Sequence, residues 1–453
     1  MSDKPQFASR IGLIAATVGS AVGLGNVWRF PAEAQAGGGA AFLFIYILCV
    51  LLLGVPVMVG EFALGRSGGS DAIGSFVNLG ARRPWWGVGA LAILASYMIL
   101  CFYMVVAGWT IEYLWESVTG ALYAAVPDGN ESMMFARRME TYIGSAWHPL
   151  VFTAIVIVIN ICVLLGGVQK GIERLSNLLM PLLFLILIVF ACVALSLPGA
   201  AEGLRFFLSP DFSKLTPGVV ISALGQAFFS LSLGMGILIT YASYFPRTTR
   251  LTRTAVTVSM LDMLVAVMMG VIIFPAVTTY GLTGESLRGA TLVFVTLPEV
   301  FARMPGGTFW SALFFLLLSL AAITSTISIA EVTIAFLQDR FRMSRRKAVS
   351  ATLLPLFIFS SICSLSQGPL NHITIAGFNI FDFLDNVATN IMLPLGALLL
   401  CIYMGWFAPR GLLQDQMSCG GMYDFGKVNR TVAFIIRYIA PPLIAIVLIS
   451  YFI

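Results

Sequence analysis

The sequence predicts an all-α integral membrane protein of about eleven transmembrane helices, on three observations. Of 453 residues, 59% are hydrophobic and 10% charged, and the mean hydropathy is +0.94, more apolar than a water-soluble chain of this length sustains. Apolar runs reach 20 residues and more, the length a helix needs to cross hydrocarbon rather than the roughly 10-residue alternation of a barrel strand. Basic residues gather in alternate connecting segments, as the positive-inside rule requires.

Helices are expected at 11–36, 40–65, 87–118, 149–167, 172–196, 217–244, 252–280, 307–338, 347–366, 376–406 and 431–452. The first lacks a small-residue cleavage site and carries Asn26 and Arg29, so it reads as a retained span rather than a signal peptide. With a cytoplasmic N-terminus, the inside loops hold Arg66, Arg82, Arg83, Lys170, Arg174, Arg247, Arg250, Arg253 and the run DRFRMSRRK at 339–347. The odd helix count then places the C-terminus outside. The net charge of +5 follows from these loops and is no sign of nucleic-acid binding. Seven cysteines without paired spacing, six of them in apolar runs (Cys49, Cys101, Cys162, Cys192, Cys363, Cys401), point to core packing rather than disulfides or metal. His148 and His372 are far apart in expected loops, which leaves histidine catalysis without support. An enzyme is disfavoured because no nucleophile, base or metal set is legible.

Two spans carry irregular centres. Residues 19–31 read GSAVGLGNVWRFP, and residues 225–244 read GQAFFSLSLGMGILITYASY, with Ser230, Ser232, Gly234 and Gly236 in the middle. Glycines also permit close helix packing, and either stretch alone is as well explained that way. Both together, in the first and sixth helices, occupy corresponding positions if helices 1–5 (11–196) and 6–10 (217–406) are inverted repeats followed by one extra helix at 431–452, the whole chain 1–453 forming a single transport domain. Such paired breaks point to a substrate site at the membrane midplane. Unwound backbone frees carbonyls, which suit a cation, and half-helix N-termini, which suit a carboxylate. A zwitterion with a small hard cation would satisfy both.

GSAVGLGNVWRFP, with SLSLGMG and LAAITSTISIAE, resembles the neurotransmitter:sodium symporter family over essentially the whole chain, especially its bacterial leucine, tryptophan and tyrosine transporters. That resemblance implies two sodium sites and no organic cofactor. The first would use the Ala21 carbonyl, Asn26, Ser230, the substrate carboxylate and, as the local negative charge, Asp262. The second would use carbonyls of Gly19, Val22 and Ala321 with the hydroxyls of Thr324 and Ser325, oxygen ligands as a hard cation requires. Those two hydroxyls can equally bond back to their own helix. Asp262 stands where the leucine-transporter type has asparagine, which implies that chloride is not required; a structural Asp bonding hydroxyls such as Ser230 is compatible with the same residue. An acid there should face a cavity or cation, not lipid.

Gly23 leaves empty the place where amine-transporting members carry an aspartate, so the ligand is expected to bring its own carboxylate, held by the amides around Leu24 and Gly25 and by Tyr103. Its ammonium would face the carbonyls of Ala21 and Phe229 and the oxygens of Ser230 and Ser232. The side-chain pocket carried over is Ile99, Tyr103, Phe229, Met235, Ser325, Thr326 and Ile329. It holds no charge, and the thioether of Met235 repacks readily, so neutral hydrophobic L-amino acids, aromatic ones included, are the expected cargo.

For the outer gate the resemblance implies Arg29 with Asp385, Asp382 being the other candidate, and Phe229 with Tyr103 as lid. For the inner gate it implies Asp339 with Ser243 and Tyr244, facing Lys4 and Phe7 where the family usually has arginine and tryptophan. Lys4 reads equally well as a solvated terminal charge. Gly171 and Pro181 in GIERLSNLLMP match a helix-five unwinding device, or an ordinary proline kink. Glu61 is expected to accept from the loosened backbone, and Glu331 lies toward the inner gate, where a proton role is open. The expected function is sodium-coupled symport of a neutral amino acid across a bacterial cytoplasmic membrane, the alternative being a sodium-dependent amino-acid-binding receptor that does not cycle. No nucleic-acid partner is expected, membrane lipid surrounds the spans, and the oligomeric state is open.

Overall fold

The computed structural model describes residues 5–80, 84–124, 131–282 and 289–452, with backbone alone at 131–133. Lys4, Arg82 and Arg83 lie outside the described residues. The first span is a bent pair, α1 (Arg10–Ala21) and α2 (Gly25–Ala36), at 55°. It is followed by α3 (Ala40–Gly68), the short α4 (Ala72–Asn78), α5 (Trp86–Thr119), α6 (Glu131–Gly144), α7 (His148–Leu165), α8 (Val168–Leu195) and α9 (Ala200–Leu208). The sixth span is also two pieces, α10 (Pro217–Ser230) and α11 (Ile237–Ala242). Then come α12 (Leu251–Tyr280), α13 (Gly289–Ala302), α14 (Gly307–Phe341), α15 (Arg345–Ser366), the hairpin β1 (Thr374–Ile375) and β2 (Phe378–Asn379), α16 (Ile380–Phe407), α17 (Leu412–Met417) and α18 (Lys427–Ser450). Among the described residues nine helices are each long and apolar enough to cross a membrane; the bent pair makes ten, and the interrupted sixth segment is the eleventh expected from the sequence.

Helix starts follow from capping chemistry. Ser9 accepts from the Gly12 N–H at 2.9 Å and opens α1; Thr216, followed by Pro217, accepts from Val219 N–H at 3.3 Å and opens α10. A side-chain acceptor thus satisfies an otherwise orphaned first-turn donor. The tenth span begins at Ile380 rather than 376, because residues 374–379 pair as a hairpin and Asn379 caps the helix through Asp382 N–H at 2.9 Å.

Each span buries one face and leaves another for lipid. On α8, Leu178, Leu185, Ile188 and Leu195 are exposed while Leu179, Leu183, Ile186, Leu187 and Phe190 are buried, the helical period separating the two sets. The long helices α5 and α14 pack along each other, and α1 lies against α8, α12 and α14. The loops with the expected inside charge meet on one face: Arg66 Nη1 donates to the Thr249 carbonyl at 2.5 Å, Gln169 Nε2 to the Gln6 carbonyl at 2.7 Å and Arg345 Nε to the Leu164 carbonyl at 2.8 Å. Thr252 Oγ1 donates to Asn429 Oδ1 at 2.9 Å near the start of α18, and Tyr451 past its end donates to Asn386, so the last helix runs from this face to the other.

Gly65 of α3 sits where any Cβ would overlap the Ile239 carbonyl of α11. Overpacking of this kind costs about 1–3 kcal/mol, so Gly65→Ala is expected to lower the unfolding temperature of the purified protein; an unchanged transition by fluorescence-monitored melting would show that α11 can shift aside.

Candidate substrate and cation site

The two breaks are built differently and face each other. α1 stops at Ala21 because Val22 turns to extended backbone (φ −68°, ψ 107°), and helix resumes as a wide π turn at Gly25–Arg29. In the sixth span, Ser232, Gly234 and Gly236 adopt left-handed backbone (φ 54°, 81° and 74°). Glycine is required at 234 on two counts: the left-handed φ, and a backbone approach to α16 so close that a Cβ would overlap the Leu393 carbonyl.

Three buried side chains hold the breaks in place. Glu61 Oε1 accepts from Gly234 N–H at 2.7 Å, the backbone duty expected of it, here to the sixth span. The Ser232 hydroxyl donates to the Ser20 carbonyl at 3.1 Å, joining one break to the other. Asp262 accepts from Asn26 Nδ2 at 2.8 Å through Oδ1 and from Ser230 Oγ at 2.6 Å through Oδ2. Ser230 Oγ lies 3.2 Å from Asn26 Oδ1, and the Tyr46 hydroxyl donates to it at 3.4 Å. Asp262 is fully buried, and its carboxylate thus holds both neutral side chains expected to ligate the first cation.

The residues expected at the second cation site also converge. Ser325 Oγ donates to the Val22 carbonyl at 3.3 Å, bringing α14 to the end of α1, and Gly19 has space for a Cβ only 3.3 Å from Thr324 Cβ. Thr324 Oγ1 donates to the carbonyls of Leu320 and Ala321, both at 3.0 Å, the back-bonding its residue type allows. A hydroxyl that donates along its helix keeps lone pairs for a cation. Among the described residues no three His, Cys, Asp or Glu side chains converge as a metal cluster; the donors here are carbonyls, hydroxyls, one amide and one carboxylate.

Between the breaks opens a cavity of about 470 Å³. Ala21, Leu24, Gly25, Ile99, Tyr103, Phe229, Ser230, Ser232, Met235, Ser325 and Ile329 all line it. Thr326 does not: its hydroxyl donates to the Ile323 carbonyl at 2.9 Å and accepts from Asn160 Nδ2 at 3.0 Å, which corrects its expected place in the pocket. Asn160 of α7 was invisible to sequence reading because a polar residue on a membrane helix carries no address. Tyr103 accepts from the Leu24 N–H at 3.1 Å, leaving the phenolic proton for a ligand acceptor.

The cavity continues upward between Trp109, Phe381, Ile143, Arg29, Asp382 and Asp385. Trp109 and Phe381 are stacked at 5.9 Å; neither stood out in the sequence, since their neighbourhood depends on α16 crossing α5. Arg29 and Asp385 share this wall without closing an ion pair. Arg29 instead lies 3.9 Å from Glu33 and 4.8 Å from the Phe229 ring, and Asp385 accepts from Thr389 Oγ1 at 2.9 Å.

The opposite face is shut. Phe7 N–H donates to the Tyr244 carbonyl at 3.2 Å, and the Phe7 ring packs on Tyr241, Tyr244 and Phe245. Asp339 accepts from Asp71 N–H at 2.7 Å and Ser70 Oγ at 3.2 Å. Burial raises the Asp71 carboxyl above the usual aspartate range, the Gly74 N–H draws it back and the Asp339 charge raises it again. Ser243, expected beside Asp339, donates within its own helix to Thr240. Tyr244 donates to Glu331 at 2.8 Å, and Glu331 is held by both terminal nitrogens of Arg345 at 2.6 and 2.7 Å. Gly171 lies in a π turn, Val168–Glu173, at the head of α8, with Pro181 inside that helix; the segment is wide helix rather than unwound chain.

The turn also carries Glu173, which sequence reading missed. It accepts from Ala8 N–H at 2.8 Å, Ser9 N–H at 3.0 Å and Ser9 Oγ at 2.8 Å, and so fastens the segment leading into α1 to the head of α8.

This is the architecture of a multi-pass membrane carrier, with an oxygen-lined site between two broken helices and one face closed. The sequence profile described as the sodium:neurotransmitter symporter family matches residues 4–134 and 133–453. The sodium-dependent transporter YhdH of Bacillus subtilis is 35% identical, covering 98% of this chain and 97% of its own, and a sodium-dependent transporter of Haemophilus influenzae is 35% identical with the same coverage. The crystal structure of MhsT in complex with L-phenylalanine superposes with a TM-score of 0.89 at 40% identity, over 99% of both chains. The chain belongs to the sodium:neurotransmitter symporter family, a family of transporters rather than enzymes.

Hydrogen bonds to a charged acceptor are each worth about 1.5–3 kcal/mol. Glu173→Ala is therefore expected to speed amide exchange at Ala8 to Gly12 by roughly tenfold or more, measured by hydrogen–deuterium exchange; unchanged protection would mean that the Phe7 contacts alone hold the segment.

Proposed function

We propose that this protein is a sodium-coupled symporter for neutral, hydrophobic L-amino acids, aromatic ones included, that works by alternating access and without chloride. The observation that carries the reading is the meeting of two backbone breaks at one cavity whose walls offer carbonyls, hydroxyls and one buried carboxylate to cations and amide donors to a carboxylate. The relative with bound L-phenylalanine supports the cargo class. So does Gly23, which brings no side-chain carboxylate to the cavity wall that it lines, so the ligand supplies its own.

In this reading one sodium binds Ala21, Asn26 and Ser230 with the substrate carboxylate, and Asp262 supplies the charge that a bound anion would otherwise provide. The second sodium binds Gly19, Val22, Ala321, Thr324 and Ser325. Because Ser232 gives its proton to Ser20, its oxygen is left to accept from an ammonium, beside the Ala21 and Phe229 carbonyls. Ile99, Met235 and Ile329 take the apolar side chain. The Asp385 face is extracytoplasmic and closes by pairing Arg29 with Asp385; the Asp339 face is cytoplasmic and opens when the Phe7 packing and the Asp339 contacts part. The whole chain acts as one transport domain of two five-helix repeats and a final helix.

Two measurements test this. In proteoliposomes with an imposed inward sodium gradient, uptake of each of the twenty amino acids is expected only for hydrophobic or aromatic members, with none when potassium replaces sodium and no loss when gluconate replaces chloride. Sodium-dependent binding without accumulation would make the protein a receptor, and loss of uptake in gluconate would remove the role given to Asp262. Gly23→Ala sets a methyl 2.9 Å from Tyr103 Oη and 3.0 Å from Ser325 Oγ, and should weaken apparent affinity by roughly tenfold or more, the scale of overpacking; unchanged affinity would place the carboxylate elsewhere.

A further inference from the structure

We propose that Glu33 is a second, competing partner of Arg29, and that exchange of the guanidinium between Glu33 and Asp385 sets whether the Asp385 face stands open. The proposal rests on the reading of Arg29 and Asp385 as the gate pair. Arg29 Nε lies 3.9 Å from Glu33 Oε1, one turn further along α2. The guanidinium lies over the Phe229 ring, 4.8 Å from its centroid. The second oxygen of Glu33 accepts from Ser222 Oγ of α10, so this carboxylate joins the half-helices of both interrupted spans at the cavity rim.

Asp385 stands on the wall of the same cavity, with Oδ1 turned to Thr389 at 2.9 Å. Its neighbour Asp382 is occupied by Asn379 at 2.7 Å and Gln367 at 3.4 Å.

An arginine at membrane depth keeps its charge and needs an anion in every state of the cycle. With Asp385 alone, opening the gate would leave Arg29 without a counter-ion, and the closed state would be favoured by that whole difference. Glu33 offers a partner while the gate is open. The pair is half-exposed, with side chains 28% and 32% accessible, so it is weak, as a partner must be if it is to release Arg29 each cycle. Substrate and sodium then need only a modest difference in affinity between the two states to tip the gate. Glu33→Gln removes the charge and keeps an acceptor for Ser222.

The test uses the full chain in proteoliposomes with Ile143→Cys as reporter on the cavity wall and the exposed Cys162 and Cys192 replaced by serine. The rate of labelling by a charged, membrane-impermeant thiol reagent is followed in sodium. Glu33→Gln is expected to slow labelling about two- to fivefold, the range of an exposed ion pair, because Arg29 then settles on Asp385. Asp385→Asn alone is expected to speed labelling, and Glu33→Gln added to it should change nothing further. No slowing by Glu33→Gln, or equal slowing with and without Asp385, overturns the proposal and leaves the gate pair standing. A labelling rate unmoved by Asp385→Asn removes the gate pair itself, and the competition with it.

Discussion

The structure depends on one constraint: backbone polar groups released inside a membrane must find partners within the protein. Breaking two helices at the same depth releases them in quantity, and the protein answers with buried acids and hydroxyls from elsewhere in the chain. Glu61, fully buried on α3, takes the Gly234 amide. Ser232 reaches across to the Ser20 carbonyl. Asp262 holds Asn26 and Ser230 from α12. Each is an interaction between distant parts of the chain, so the breaks support each other and neither would persist on an isolated helix. What is left unfilled between them is the cavity.

The two faces are built from different contacts. On the Asp339 face Phe7 is buried among three aromatic rings, and Asp339 accepts from the backbone of Asp71. This face is reinforced by the bidentate Glu331–Arg345 pair and by Glu173, which clasps the segment before α1. On the Asp385 face Arg29 and Glu33 are partly exposed and 3.9 Å apart, and Asp385 stands on the same cavity wall as Arg29. Glu173, which fastens the N-terminal segment, sits on the π turn Val168–Glu173 at the head of α8.

Much of the fold was legible because membrane depth imposes length and composition. The span limits agree with the structure to within a few residues, and both interruptions were marked by glycine and serine where leucine would be ordinary. The tenth span started late because a two-residue hairpin with an Asn379 cap looks like any polar loop. At the site, the oxygen ligands and cavity residues implied by the family resemblance do lie together, Thr326 excepted. Its neighbour Ser325 faces α1 while Thr326 faces Asn160 of α7; adjacent residues on a helix point about 100° apart, and spacing alone does not say which of the two faces inward. Glu173, Asp71 and Arg345 were passed over for a related reason: each lies in a loop or helix end, where position in the sequence does not distinguish a solvated residue from a clasp.

By itself, then, the sequence determined the class of protein, the order of the spans and the two breaks, because hydrocarbon solvent and backbone chemistry act locally and leave a pattern in every segment. The tertiary structure decided which acid meets which base. Arg29 rests on Glu33 rather than Asp385, Glu331 on Arg345, Asp339 on the Asp71 backbone and Glu173 on Ser9. Apart from the Arg29–Glu33 pair one turn apart on α2, these contacts are settled by distances of a few ångströms between segments separate in the chain, and those distances exist only once the bundle has packed.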